Sequence, residues 1–224
     1  MTDTQALLSD IVAVAHEAGA AIMDVYATDF DVARKDDDSP VTEADLAAEA
    51  LITPVLKRLT PDFPIVAEEA ASRGEVPDVG DKPFWLVDPL DGTKEFLNRN
   101  GEFTVNIGLI ANREPIFGVI FAPALGDTYT GLVGVGATRA REGGTPEPIT
   151  IREVPSEGVT VLASRRHGDP ETLKAFLEGR PLAGTKNAGS SLKFCLLAAG
   201  EADVYPRFCP TMEWDTAAGH AILR

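Results

Sequence analysis

The chain reads as an α/β protein, with helices and an antiparallel sheet over residues 1–145 and a smaller α/β part over residues 146–224. Three observations predict this. The first residues repeat apolar side chains at helical spacing, strand-like runs separated by short turns fill residues 84–141, and after the Gly- and Pro-rich residues 142–148 short strands alternate with helices.

Leu7, Leu8, Ile11, Val12, Ala15, Ala18, Gly19, Ile22 and Met23 lie on one helical face, so a first helix runs to about Tyr26. A charged loop follows. Its acidic run, Asp36 to Asp38, lacks the alternating spacing of a calcium loop and reads as solvated. Thr42 is placed to N-cap a second helix running toward Leu59, which puts Asp45 in its first turn. Residues 64–67 form a short apolar strand ending at Glu68 and Glu69, and residues 70–82 read as a mobile acidic loop. Phe-Trp-Leu-Val-Asp-Pro-Leu-Asp-Gly-Thr, residues 84–93, is a strand that delivers Asp88 and Asp91 into a turn, after which Thr93 caps a short helix to Leu97. Residues 103–111 and 115–122 form a hairpin around Asn112, Arg113 and Glu114, continued by strands over 127–133 and 137–141. Beyond the boundary come a strand (159–163), a helix (170–177), a helix over 190–199 opened by Gly189-Ser190-Ser191, a strand (202–205) and a last helix from Trp214 with Asp215 in its first turn.

A net charge of −15 argues against a nucleic-acid polymer or an anionic membrane surface as partner, since both select clustered Lys and Arg. A small anionic substrate stays open if bound divalent cations supply the positive charge. Two cysteines, Cys195 and Cys209, make no disulfide framework and point to a reducing compartment. Residues 1–10 carry no secretory pattern, and no apolar run reads as membrane-spanning. The expected location is cytoplasmic, with peripheral attachment at the cytoplasmic face of the inner membrane as the alternative, and the expected state is a monomer or homodimer.

Asp88 and Asp91 are hard oxygen ligands of the kind Mg²⁺ prefers, and Pro89 bends the chain so that both carboxylates and the Leu90 carbonyl converge. Gly92 permits close backbone approach, and free N–H groups at the start of the next helix can seat a phosphate. Asp-Pro and Asp-Gly are also ordinary turn formers, so by itself the pair is equally the end of a strand. Asp45 and Asp215, taken singly, are helix first-turn acids, and Glu68 a solvated loop residue. Taken together, five carboxylates at element ends are most simply a shared cation cluster.

Thr42-Glu43-Ala44-Asp45, Glu68-Glu69, Asp88-Pro89-Leu90-Asp91-Gly92-Thr93 and Trp214-Asp215-Thr216-Ala217-Ala218-Gly219 resemble, in order, the motifs of the inositol monophosphatase superfamily of Mg²⁺-dependent, lithium-sensitive phosphatases. Asn100-Gly101-Glu102-Phe103-Thr104-Val105-Asn106-Ile107, Gly189-Ser190-Ser191-Leu192-Lys193-Phe194-Cys195 and Tyr205-Pro206-Arg207-Phe208 narrow the likeness to the CysQ-type 3′(2′),5′-bisphosphate nucleotidases. The resemblance implies a layered α-β-α-β-α sandwich and hydrolysis of the 3′-phosphate of adenosine 3′,5′-bisphosphate, a by-product of sulfate assimilation. It implies two or three Mg²⁺ ions on Glu68, Asp88, the Leu90 carbonyl, Asp91 and Asp215, with Asp45 and Thr93 activating a water that Glu68 helps to hold. Glu68, Leu90, Asp91, Gly92, Thr93 and Asp215 would meet the phosphate end of the substrate, and Gly189, Ser190, Ser191 and Lys193 the nucleoside end, with Arg207 either adding charge to the pocket or forming a surface salt bridge. Alternatives are an inositol or sugar monophosphatase with the same chemistry, or a non-catalytic protein that binds nucleotide through metals. Cys209 stands where the family pattern has glycine and is expected to be a buried, inert thiol. The last helix ends at Arg224 where the family continues with a further strand, so the C-terminal part is expected to be truncated.

Overall fold

The structure is a computed structural model that describes residues 4–30, 32–34, 40–164 and 170–224. The acidic run at Asp36 to Asp38 lies outside the described residues.

Helix α1 (Thr4–Tyr26) leads to a two-strand ribbon, β1 (Ala33–Arg34) with β2 (Pro40–Val41), and then to α2 (Glu43–Leu59). Thr42 caps α2 as expected: its Oγ1 accepts the Ala44 N–H at 3.2 Å, and Asp45 accepts the Thr42 N–H in return at 2.7 Å. Thr42→Ala is expected to cost about 1 kcal/mol, read as a fall of a few degrees in the melting temperature.

Strand β3 (Ile65–Ala67) runs directly into a short helix, α3 (Glu68–Ser72), so the loop expected over residues 70–82 begins later than the sequence suggested. Its start is held from α2, where buried Glu49 accepts the Glu69 N–H at 2.8 Å. Next come β4 (Phe84–Asp91), α4 (Thr93–Leu97), β5 (Thr104–Ala111), β6 (Glu114–Ala122), β7 (Asp127–Leu132), β8 (Gly136–Arg141) and β9 (Glu147–Ile149). The seven strands β3 to β9 form one sheet in sequence order, antiparallel from β4 onward. Two corrections arise here. β3 pairs with β4 in parallel, because α3 and the following loop carry the chain back to the same end of the sheet, and the Gly- and Pro-rich stretch ends in an edge strand. The β5–β6 hairpin turns on Asn112 and Arg113, both left-handed at φ 52° and 65°, which matches the twist of the flanking strands.

The remaining elements are β10 (Val159–Ala163), α5 (Pro170–Phe176), β11 (Leu182–Asn187), α6 (Leu192–Ala198) and α7 (Glu213–Leu223). β11 was not expected: Leu-Ala-Gly-Thr-Lys-Asn is largely exposed and lacks alternation, and pairing in parallel with β10 is what makes it a strand. The strand expected over residues 202–205 is only an isolated bridge from Val204 to Val161. α6 is shorter than expected because Ser190 sits at φ 43°, outside the helix.

Successive β5 side chains alternate between faces of the large sheet. Val105, Ile107 and Leu109 join the core shared with α1 and α2, while Gly108 faces α7. Leu162 of β10 packs with Leu192 and Cys195 of α6, and Val159 and Val161 pack against Leu173 and Leu177 on the α5 side. The layers are therefore α1 and α2, the large sheet, α6 and α7, the small sheet, and α5. By length and composition α1 is apolar enough to cross a membrane, contrary to the sequence reading. Here Ile11, Ala15, Ala18 and Ile22 are spent on the core against α2 and the sheet.

α7 lies against the sheet so closely that three glycines make room for it. A Cβ at Gly108 would lie 2.9 Å from the Ala218 nitrogen, one at Gly118 2.2 Å from the Ala218 oxygen, and one at Gly131 2.4 Å from the Ile222 Cα. This contact sets the position of Asp215.

Candidate active site

β4 carries the centre of the site. Its pairing with β5 is regular to Asp88↔Asn106, breaks, and resumes at Asp91↔Thr104, so the strand bulges through Asp-Pro-Leu-Asp, its last four residues, and continues past Asp88. Asp88 is buried, and its Oδ1 accepts the Leu90 N–H at 3.0 Å. Burial first, then the charges of Glu68, Asp91 and Asp215, push its carboxyl well above the ordinary range. Asp91 is pushed up to about 6 by burial and Asp215, against the opposing effects of Ser191, Lys193 and Asn106. Glu68 and Asp215, remote in sequence from β4, thus lie close enough to act on Asp88, and Asp215 on Asp91 as well.

Asp45 comes from the first turn of α2. Its Oδ2 accepts from both the Thr42 N–H and the Thr42 hydroxyl at 2.7 Å, while Thr93 Oγ1 lies 3.4 Å from Asp45 Oδ1 and 3.4 Å from the Leu90 carbonyl. Thr93 is not the cap that the sequence suggested. Gly92 takes that place at φ 91°, and Thr93 is the first helical residue with its hydroxyl directed to Asp45. Asp215 Oδ2 accepts from Thr211 Oγ1 at 2.6 Å and from the Met212 N–H at 3.1 Å, which fixes its carboxylate at the start of α7.

Beside these acids is a cleft of about 220 Å³, lined among others by Asp91, Gly92, Ser190, Lys193, Arg207 and Asp215. Lys193 is buried and donates to the carbonyls of Ala188 (3.1 Å) and Ser190 (2.6 Å), with its ammonium 5.3 Å from the Tyr205 ring centroid. Burial lowers its pKa, an effect that Asp91 opposes. Arg207 donates to the Cys209 and Pro210 carbonyls and to the Tyr205 hydroxyl, which keeps the guanidinium at the cleft, and among the described residues no ion pair of Arg207 is found. Glu102 accepts the Gly189 N–H at 2.7 Å, tying the loop before α6 to the loop before β5. Cys209 is half-buried, not buried as expected, because it sits in this surface loop.

The sequence-predicted residues therefore gather at one end of β4, with Asp45 joined to the rest through Thr93. Sequence reasoning missed Asn106, whose polar side chain is buried on β5 opposite Asp88, and Tyr205, whose ring lies beside the Lys193 ammonium. Both lie in stretches that carry the resemblance, which gave them no role, and the further signal for Asn106 was an amide within a largely apolar strand.

The donor set suits a hard divalent cation: four carboxylates and the Leu90 carbonyl, with an excess of negative charge that burial alone makes unfavourable. Among the described residues, no three His, Cys, Asp or Glu side chains are gathered closely enough to hold a metal ion as they stand. The chemistry of the donors fits such a cation.

The model of the inositol monophosphatase family matches residues 3–224. The chain belongs to that family. It is similar to the 3′(2′),5′-bisphosphate nucleotidase CysQ of Salmonella typhimurium strain LT2, at 48% identity over 96% of this chain and 86% of the relative. The crystal structure of CysQ from Bacteroides thetaiotaomicron, described as a bacterial member of the family, matches with a TM-score of 0.77 at 39% identity, over 95% of this chain and 83% of that one. The inositol monophosphatase from Anabaena sp. PCC 7120 matches with a TM-score of 0.79 at 27% identity, over 99% and 82%. Family members therefore share the layered fold across nearly the whole chain.

Proposed function

We propose that this protein is a Mg²⁺-dependent phosphatase that hydrolyses the 3′-phosphate of adenosine 3′,5′-bisphosphate to AMP and phosphate. The observation that carries the reaction class is the buried acid cluster at the cleft, in which burial and mutual repulsion drive Asp88 and Asp91 upward unless a cation offsets them. The choice of substrate is supported by the 48% identity to a bisphosphate nucleotidase and by Lys193 and Arg207, which provide a second positive region for a second phosphate.

Glu68, Asp88, the Leu90 carbonyl, Asp91 and Asp215 are the residues proposed to hold the cations. Bound there, Mg²⁺ supplies Lewis-acid stabilisation of the phosphoryl oxygens and water of lowered pKa. The chain contributes orientation and a proton path. Thr42 occupies Asp45 Oδ2 with two hydrogen bonds, so Oδ1 is the oxygen that faces Thr93. Thr93 Oγ1 would donate to that oxygen and accept from a water, so that as the water attacks phosphorus and the bond to the 3′-oxygen breaks, the water proton moves to Oγ1, the Thr93 proton moves to Asp45 Oδ1, and the departing 3′-oxygen takes its proton from solvent. The Gly92 and Thr93 N–H groups are the proposed donors to the phosphate oxygens, a reading supported by left-handed Gly92, which permits close backbone approach.

Thr93→Ala is expected to lower kcat by about 10²-fold or more while Mg²⁺ affinity stays close to that of the unaltered protein. Steady-state phosphate release and calorimetric Mg²⁺ titration check this together. Loss of metal binding in this variant would move Thr93 from water activation to cation binding. The substrate assignment is tested by comparing adenosine 3′,5′-bisphosphate with inositol 1-phosphate, and a clear preference for the latter would replace it by the inositol monophosphatase reading.

A further inference from the structure

Ser191 and Ser190 are adjacent in sequence and opposite in situation. The Ser190 hydroxyl is buried without a hydrogen-bond partner, whereas Ser191 Oγ lies 2.7 Å from Asp91 Oδ2, 2.7 Å from the Asp215 carbonyl and 2.8 Å from Asn106 Nδ2. A serine hydroxyl has one proton to donate and two lone pairs to offer. The amide of Asn106 takes up a lone pair, and the two oxygens of Asp91 and Asp215 compete for the proton, with the carboxylate the stronger acceptor. Ser191 thus has no donor left for a substrate. Asn106 also reaches Asp91 Oδ2 directly at 3.4 Å, so Ser191 and Asn106 both donate to the same Asp91 oxygen.

We propose that Ser191 and Asn106 are positioning residues that fix the Asp91 carboxylate and lock it to the start of α7, where Asp215 sits. The inference rests on reading Asp91 as a cation ligand. Four elements meet in this knot: β4 through Asp91, β5 through Asn106, the residue before α6 through Ser191, and α7 through the Asp215 backbone. Asn106 is buried on the strand opposite Asp88, and Ser191 is also buried. Outer hydrogen bonds of this kind set the aim of a ligating carboxylate, and their loss weakens metal affinity by about 10- to 100-fold.

The test is a Mg²⁺ titration of Ser191→Ala by calorimetry and by the metal-induced rise in melting temperature, alongside KM for the nucleotide at saturating Mg²⁺. We expect the Mg²⁺ dissociation constant to rise about tenfold, with KM changed by less than about threefold, and Ser191→Thr, which keeps the hydroxyl, to recover much of the lost affinity. Asn106→Ala should move Mg²⁺ affinity in the same direction, and it carries the test if Ser191→Ala does not fold. A raised KM with unaltered Mg²⁺ affinity would overturn the inference and make Ser191 a substrate contact. If the unaltered protein binds Mg²⁺ and both variants bind it equally well, the positioning role is wrong while the metal reading stands. If the unaltered protein binds none, both are wrong.

Discussion

Asp91→Asn is expected to lower Mg²⁺-stimulated phosphate release by about 10³-fold or more and to weaken Mg²⁺ binding in the same protein. The substitution keeps the size of the side chain and removes one charge from a group set among Asp88, Asp215 and Lys193. Its consequence for stability has the opposite sign. The Asp91 carboxyl is raised to about 6 by burial and Asp215, so without cations the ionised form opposes folding, increasingly so as pH rises from the unfolded value toward 6. A neutral amide removes that opposition. Metal-free Asp91→Asn should therefore melt at or above the temperature of the metal-free parent at neutral pH, and the parent should overtake it when Mg²⁺ is added in large excess over its dissociation constant. A parent whose melting temperature ignores Mg²⁺ would remove the basis for a cation site at β4.

Gly118→Ala is the second large expected effect, and it acts on the frame of the site, not on its chemistry. The added Cβ would stand 2.2 Å from the backbone oxygen of Ala218, so relief requires α7 to move as a body. The expected cost is about 3 kcal/mol or more, against a typical total stability of about 5–15 kcal/mol. Because α7 carries Asp215, the portion that folds should also bind Mg²⁺ less tightly. Denaturant unfolding with parallel Mg²⁺ titration checks both parts, and a fully stable, fully active Gly118→Ala would show that the contact with α7 is looser than described.

Much of this fold was legible because the periodicities are long or the turns chemically marked. The apolar face of α1, the Thr42 cap and the strands around Asn112 and Arg113 each carry local signals that tertiary packing reinforces. β11 was illegible for the converse reason: its residues are mostly exposed, and only β10 beside it defines it. The parallel pairing of β3 depends on where α3 and its loop return the chain, which no local pattern encodes.

At the site, the candidate ligands were readable because carboxylates at element ends are few and their motifs follow one another in order. What lay hidden was which hydroxyl does what. Thr93 was expected both to cap α4 and to pair with Asp45, and Gly92 takes the cap while the Thr93 hydroxyl lies near Asp45; Ser191 looked like its neighbour Ser190 until the bonds to Asp91, Asn106 and the Asp215 carbonyl distinguished them. Those assignments depend on side-chain direction, which a one-residue change in helix start or a left-handed Ser190 alters.

The most direct test of the central claim is phosphate release from adenosine 3′,5′-bisphosphate, its 2′ isomer, inositol 1-phosphate and fructose 1,6-bisphosphate, each with and without Mg²⁺. The predicted result is Mg²⁺-dependent release with the highest kcat/KM on the bisphosphate nucleotides. Absence of release from every one of these esters in Mg²⁺, with nucleotide still bound, would contradict it.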